Sequence, residues 1–147
     1  MTGAERDLFH ILSNAERRVA QRLATVLDAA GCSVEQWRVL TLLEDGHGHP
    51  MTELAEFALL PAPTTTKLVD RMVADNLVYR RADPADRRRV LVYLAERGRH
   101  LHTRLSVPLR QLQSELLEQI GDTGEFTGKL ARLAVVLDPA PATGREI

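Results

Sequence analysis

Apolar positions recur every third or fourth residue from Leu8 onward: Leu8, Ile11, Leu12, Ala15, Val19, Leu23, Val26, Leu27 and Ala30. That spacing predicts an amphipathic helix over about 4–30, stopped by Gly31. Such a helix runs to roughly seven turns, so part of its apolar stripe is expected to need a second copy of the chain. Val34, Trp37, Leu40 and Leu43 mark a second helix, with Ser33 as its N-cap and Glu35 and Gln36 in its first turn. Residues 45–50, Asp-Gly-His-Gly-His-Pro, read as a loop. Thr52 is expected to cap a short helix over 53–58 that turns Leu54, Ala55 and Ala58 inward.

A further helical pattern covers about 63–76, with Leu68, Val69, Met72 and Val73 on one side and Thr64, Lys67, Asp70 and Arg71 on the other. Pro63 suits its first turn, and Asn76 suits the left-handed position that ends it. Two β-branched and aromatic runs follow, 77–81 and 90–94, around the turn-rich segment 82–89 (Ala-Asp-Pro-Ala-Asp-Arg-Arg-Arg). This is the pattern of an antiparallel hairpin. A long helix is predicted over 96–120, bent near 104–108 by Pro108. A last helix carries Phe126, Leu130, Leu133, Ala134 and Leu137, and 139–147 read as a disordered tail.

Composition alters this picture in one respect. The 147 residues carry a net charge of −1, yet 61–98 hold eight Lys/Arg against five Asp/Glu, a local surplus of three positive charges. Three consecutive arginines, Arg87, Arg88 and Arg89, fall at the hairpin tip and point to a polyanion. Each feature alone also describes an ordinary solvated face. In this order, a Thr-rich helix start, a basic helix face and an arginine-tipped hairpin, they describe a reader helix for the major groove with a wing for the minor groove. The 44% hydrophobic fraction, with few aromatics, favours helices packed on helices. No run is long and apolar enough for a membrane span, no signal-peptide pattern opens the chain, and one cysteine cannot form an internal disulfide. A cytoplasmic protein is the expectation.

The run from Met51 to Gly98 resembles the winged helix-turn-helix of the MarR family of bacterial transcriptional regulators. The marks are Glu53-Leu54-Ala55, Thr64-Thr65-Thr66, Leu68-Val69-Asp70-Arg71-Met72, Leu77-Val78, Arg81, Asp83-Pro84-Ala85-Asp86-Arg87-Arg88, Val92-Tyr93-Leu94 and Gly98. Asn76 stands where many members have Gly, and Ala95 where many have Thr. The resemblance implies a mainly α fold with a small β-hairpin wing: one domain over 1–138, with the winged module at 33–98 and dimerisation helices at 4–30 and 99–138. It implies a homodimeric regulator, a repressor in this reading, that binds a pseudo-palindromic double-stranded DNA operator and is released by a small-molecule effector. DNA contacts are then expected from Thr52, Pro63, Thr64, Thr65, Thr66, Lys67, Arg71, Arg87, Arg88 and Arg89, with Asp86 bracing the wing. By the same resemblance, His10, Trp37 and Arg38 lie on helices that would line an effector pocket. The rival readings are a winged-helix module that binds protein, and a redox or ligand sensor without direct DNA output.

Other chemistries find little support. No phosphate loop, nucleophile elbow or framed carboxylate pair is present, so no enzyme activity and no cofactor are expected. His100 and His102, two apart on a helix, point to opposite sides and cannot share a metal; no metal site is expected. Cys32, just before the second helix, reads as a small buried residue sooner than as a redox sensor.

Overall fold

The computed structural model describes residues 2–3, 6–121 and 123–138, so the tail expectation for 139–147 lies outside the described residues. The elements in chain order are α1 (Leu8–Asp28), α2 (Val34–Leu43), β1 (His49–Pro50), α3 (Met51–Ala58), α4 (Ala62–Ala74), β2 (Val78–Ala82), β3 (Val90–Leu94), α5 (Glu96–Gln119) and α6 (Glu125–Leu137). The chain divides into two compact units between Leu109 and Arg110.

In the first unit, helix ends follow local chemistry. Asp7 opens α1 by accepting the Phe9 N–H at 3.1 Å. The Ser33 hydroxyl accepts the Gln36 N–H at 3.1 Å while Gln36 Oε1 accepts the Ser33 N–H at 3.0 Å, a reciprocal cap on α2. The expected Thr52 cap is not formed. Pro50 is the N-cap of α3, without a side-chain hydrogen bond, and Thr52 lies inside the first turn. The physical reason is upstream: His49 and Pro50 are extended in β1, and the chain turns helical directly from Pro50 (ψ 157°). Helix α4 begins after Pro61, with Pro63 in its first turn, and Asn76 takes the left-handed conformation (φ 59°) just past its end.

The expected two-stranded hairpin is a three-stranded antiparallel sheet in the order β1-β3-β2. Val78 pairs with Leu94 and Ala82 with Val90, while His49 and Pro50 pair with Val92 and Leu91 on the other side of β3. A two-residue strand shows no alternation, and its proline is tolerated because it lies at the edge. Leu27, Leu40, Leu43, Leu54, Val69, Met72 and Val92, all fully buried, form the core on which α4 and the hairpin are mounted. Gly98 allows the start of α5 to approach the β2 entry: a Cβ there would collide with the Leu77 carbonyl oxygen and press on the Leu94 side chain.

The helical run of α5 continues through Pro108. In the second unit, α6 starts after Gly124 (φ 102°), and none of its residues is buried. No helix among the described residues is long and apolar enough to cross a membrane.

Candidate nucleic-acid interface

Helix α4 shows two faces. Thr65, Val69 and Met72 are fully buried, at spacings of four and three. Pro63, Thr64, Thr66, Lys67 and Arg71 are exposed, and Thr64, Lys67 and Arg71 share one face at spacings of three and four. Thr65 is therefore a correction to the expected contact set. Its side chain has no solvent exposure, and its hydroxyl donates to the Pro61 carbonyl at 3.0 Å, so it serves the helix start and not a ligand. The helical wheel held the signal, because position 65 falls one turn before Val69 on the apolar side. Reading the three threonines as a unit concealed it. Thr66 also bonds back, to the Ala62 carbonyl at 3.1 Å, but remains exposed.

The wing is held by its backbone. The Asp83 N–H donates to the Arg89 carbonyl at 2.8 Å and the Arg89 N–H to the Asp86 carbonyl at 2.9 Å. The carboxylates add to this, Asp83 accepting the Ala85 N–H at 2.9 Å and Asp86 the Arg88 N–H at 3.1 Å. Asp86 thus contacts the backbone beside the arginines. The side chains of Arg87, Arg88 and Arg89 are exposed, and none is ion-paired among the described residues. The tip therefore presents three guanidiniums without an ion-pair partner among the described residues, on an ordered turn.

One connection ties the hairpin to the reader helix, and ring contacts brace the hairpin itself. The Arg80 guanidinium on β2 pairs with the Asp70 carboxylate on α4, fixing hairpin against helix. Tyr79 and Tyr93 stack across the strands with centroids 5.4 Å apart, and Arg81 lies 5.2 Å over the Tyr79 ring. Sequence spacing gives no warning of the Asp70–Arg80 pair, which bridges ten positions and two elements.

A further feature was missed in the sequence, where His49 read only as part of the loop 45–50. His49 Nδ1 lies 2.6 Å from Glu53 Oε2 and its Nε2 2.9 Å from Asp45 Oδ2, with the His49 side chain 13% exposed. Burial works to lower the His49 pKa, but the hydrogen bonds and charges of Glu53 and Asp45 outweigh it and raise it above the ordinary value. Burial would raise the Asp45 pKa, yet the His47 N–H and the neighbouring imidazoles bring it below the usual value. The Asp45-x3-His49-x3-Glu53 spacing was the available signal. No group of His, Cys, Asp and Glu among the described residues is arranged to hold a metal ion.

The residues expected around an effector are placed apart from one another in role. Trp37 is half-buried and stacks on His102, centroids 4.5 Å apart and rings nearly parallel. Arg38 Nη1 donates to the Ala58 carbonyl at the end of α3 at 3.3 Å. His10 is exposed on α1. None of the three lines the cleft of about 380 Å3 that opens in the same unit. Cys32 is 2% exposed, its thiol donates to the Ser33 carbonyl at 3.4 Å, and burial pushes its pKa up to about 11. At neutral pH that sulfur is a protonated, packed thiol with little nucleophilic character.

A helix-turn-helix whose second helix presents an open polar face, followed by a basic hairpin, defines a winged helix-turn-helix protein. The MarR family model matches residues 30–89. The crystal structure of the MarR family transcriptional regulator SPO1453 from Silicibacter pomeroyi DSS-3 is 31% identical and superposes with a TM-score of 0.82, over 94% of this chain and 100% of that one. The transcriptional regulator MhqR of Bacillus subtilis (strain 168) is 29% identical over 98 residues, 67% of this chain and 68% of MhqR. The same fold is found in CouR, a transcriptional repressor solved bound to a 23-mer DNA duplex, with 24% identity, a TM-score of 0.78 and coverage of 90% and 93%. The chain belongs to the MarR family of transcriptional regulators.

Proposed function

We propose that the protein is a repressor that binds a pseudo-palindromic DNA operator as a homodimer and leaves it when a small-molecule effector binds. The observation that carries this reading is the open line Thr64, Lys67 and Arg71 on α4, beside a hairpin tip whose three guanidiniums have no ion-pair partner among the described residues. Helix α4 enters the major groove, where Thr64 meets base edges and Lys67 and Arg71 neutralise phosphates. Pro63 and Thr66 flank that line, and Thr52, exposed in the first turn of α3, faces the backbone of the duplex. Arg87, Arg88 and Arg89 reach the flanking minor groove, held there by the Asp83 and Asp86 turns. CouR, with the same fold, binds a DNA duplex and is a repressor, which supports the direction of the output. The winged module at 33–98 is then the reader, the helices on either side supply the dimer contacts, and the place of action is the cytoplasm.

A mobility-shift titration with the DNA upstream of the protein's own gene, repeated across salt, tests this. Arg87→Ala with Arg88→Ala should weaken binding strongly and flatten the log–log salt dependence by about 0.9 for each phosphate no longer neutralised. Unchanged affinity and slope in the double variant would show that the wing does not touch DNA.

A further inference from the structure

The wing sheet is fastened at both of its edges, and the two fastenings differ in chemistry. Val92 pairs with Arg80 on one side and with His49 on the other. The three side chains therefore leave the same face of the sheet, the face on which Val92 is fully buried. At the β2 edge the Arg80 guanidinium meets Asp70 on α4. At the β1 edge the His49 imidazole lies between Glu53 on α3, 2.6 Å from Nδ1, and Asp45 in the loop after α2, 2.9 Å from Nε2. Each helix of the helix-turn-helix thus holds one edge of the wing. An arginine keeps its charge at any pH a cell meets, and a histidine does not.

The geometry at His49 calls for the charged ring. Ionised carboxylates only accept, so both contacts are hydrogen bonds only when both ring nitrogens carry a proton. A neutral imidazole sets a lone pair against one of the two carboxylates, and that side has to part. The ladder adds little to hold β1, which is two residues long and whose Pro50 has no N–H to offer β3. Gly48, directly before it, lies against the Tyr93 ring, where a Cβ would overlap that ring, and Tyr93 stacks on Tyr79 of β2. A shift of β1 is therefore felt across the hairpin. The titratable and charged groups that face this strand are Asp45 and His47 from the loop, Glu53 from α3, Tyr93 from β3 and, beyond Val92, Arg80 with its partner Asp70. His47 acts on Asp45, whose carboxylate accepts the His47 N–H at 2.9 Å. Burial works against the charge on His49, and Glu53 and Asp45 outweigh it, so the ring releases its proton above its ordinary value of 6.5.

We propose that His49 is a positioning residue for operator binding: its imidazolium holds β1, and through β1 the wing, in the pose that lets Arg87, Arg88 and Arg89 reach DNA while α4 occupies the groove. Alkaline conditions then loosen the protein from its operator. The inference rests on the operator-binding reading above. Loss of the proton also leaves one more uncompensated negative charge next to Thr52, on the α3 turn that faces the duplex backbone, which acts in the same direction. By linkage, a chain that holds DNA more tightly with His49 charged takes up protons as it binds.

Mobility-shift titrations with the duplex upstream of the protein's own gene, at fixed salt from about pH 6 to about pH 9, test this. The parent should lose about five- to tenfold in affinity as the pH rises across that range. His49→Gln, folded by circular dichroism, should bind with one affinity throughout, and His47→Gln should fall as the parent does. Asp45→Asn with Glu53→Gln replaces both carboxylates by amides, which satisfy a neutral ring by accepting on one side and donating on the other. That variant should hold the tighter affinity at both ends of the range. Calorimetry of the parent near the middle of the range, in two buffers of different ionisation heat, should show proton uptake on binding that His49→Gln lacks. A parent affinity that does not change with pH, or a fall that persists undiminished in His49→Gln or in the double amide variant, would overturn the inference and leave operator binding standing. No binding of the parent to that duplex at any pH would remove the operator reading and this inference together.

Discussion

Thr65 donates its hydroxyl to the Pro61 carbonyl from a fully buried position, while Thr64, one residue earlier, stands in solvent. The two threonines should therefore respond to substitution in opposite ways. Thr65→Val keeps the shape and removes one hydrogen bond, so urea unfolding should show a loss of about 1 kcal/mol with discrimination between operator and random DNA intact. Thr64→Ala should leave unfolding unchanged and lower that discrimination. Equal behaviour of the pair in both assays would contradict the orientation of α4. At this scale the sequence told residue types and helical phase, which is enough for Lys67 and Arg71; it did not tell which polar side chain had found a partner inside. His49 makes the same point. Its folded-state pKa is raised, so its contribution to stability is complete below the ordinary value of about 6.5 and is lost as pH rises through the raised value. The Asp45 pKa is lowered, so its contribution is present above about 4 and lost on acidification. The melting temperature of the parent should decline as pH rises from about 6.5 through the raised value, and His49→Gln should remove that decline. Parallel curves for parent and variant there would mean that the Asp45–His49–Glu53 cluster does not contribute to stability.

Among the elements, the junction of α5 with the hairpin is the least forgiving. Gly98 lies against the Leu77 carbonyl, and that same carbonyl accepts the Ala95 N–H at 3.0 Å. A methyl group at 98 meets the Leu77 carbonyl first, which is backbone, and the Leu94 side chain as well, so the helix or the strand has to shift. Gly98→Ala should cost about 1–3 kcal/mol, seen as a lower urea midpoint, whereas Gly31→Asn, in open space at φ 66°, should be nearly neutral. If both were neutral, α5 would not approach β2 as closely as described. The resemblance flagged Gly98 as a matching mark, but the reason is close approach and not φ, and no local pattern reports such an approach. Periodicity did place most elements within two or three residues: α2 with its Ser33 cap, α4 with its Asn76 stop, and both long strands. It missed β1, since two residues cannot alternate, and it set the start of α3 at Thr52 because a good capping side chain outweighed the strand that precedes it. The Asp70–Arg80 pair was equally hidden, being a product of how the hairpin folds back on α4.

For the whole molecule, the unmet demand is apolar surface. Along α1, Leu8, Phe9, Ile11 and Val19 are 45–77% exposed, and Leu27 is its one buried residue. Along α6, Phe126, Leu130, Val135, Val136 and Leu137 are 40–74% exposed, and nothing on it is buried. Each helix taken by itself leaves in water a stripe that monomers rarely tolerate. The sequence already carried this, because the stripes outnumber the positions that one winged module can cover. A two-fold pairing of chains would take such stripes out of water, and a pseudo-palindromic operator requires two α4 helices about 34 Å apart, one turn of duplex. Leu130 is 40% exposed, so a charge there does little to the fold of one chain and much to an interface. Leu130→Glu should shift the sedimentation coefficient from dimer to monomer and cost operator affinity well beyond what one side chain supplies, because each half-site is then bound singly. The far-UV circular dichroism should stay that of the parent. A parent protein that sediments as a monomer at micromolar concentration, or a Leu130→Glu variant that remains dimeric with full affinity, would take the paired-reader arrangement away and leave α4 and the wing to hold DNA one chain at a time.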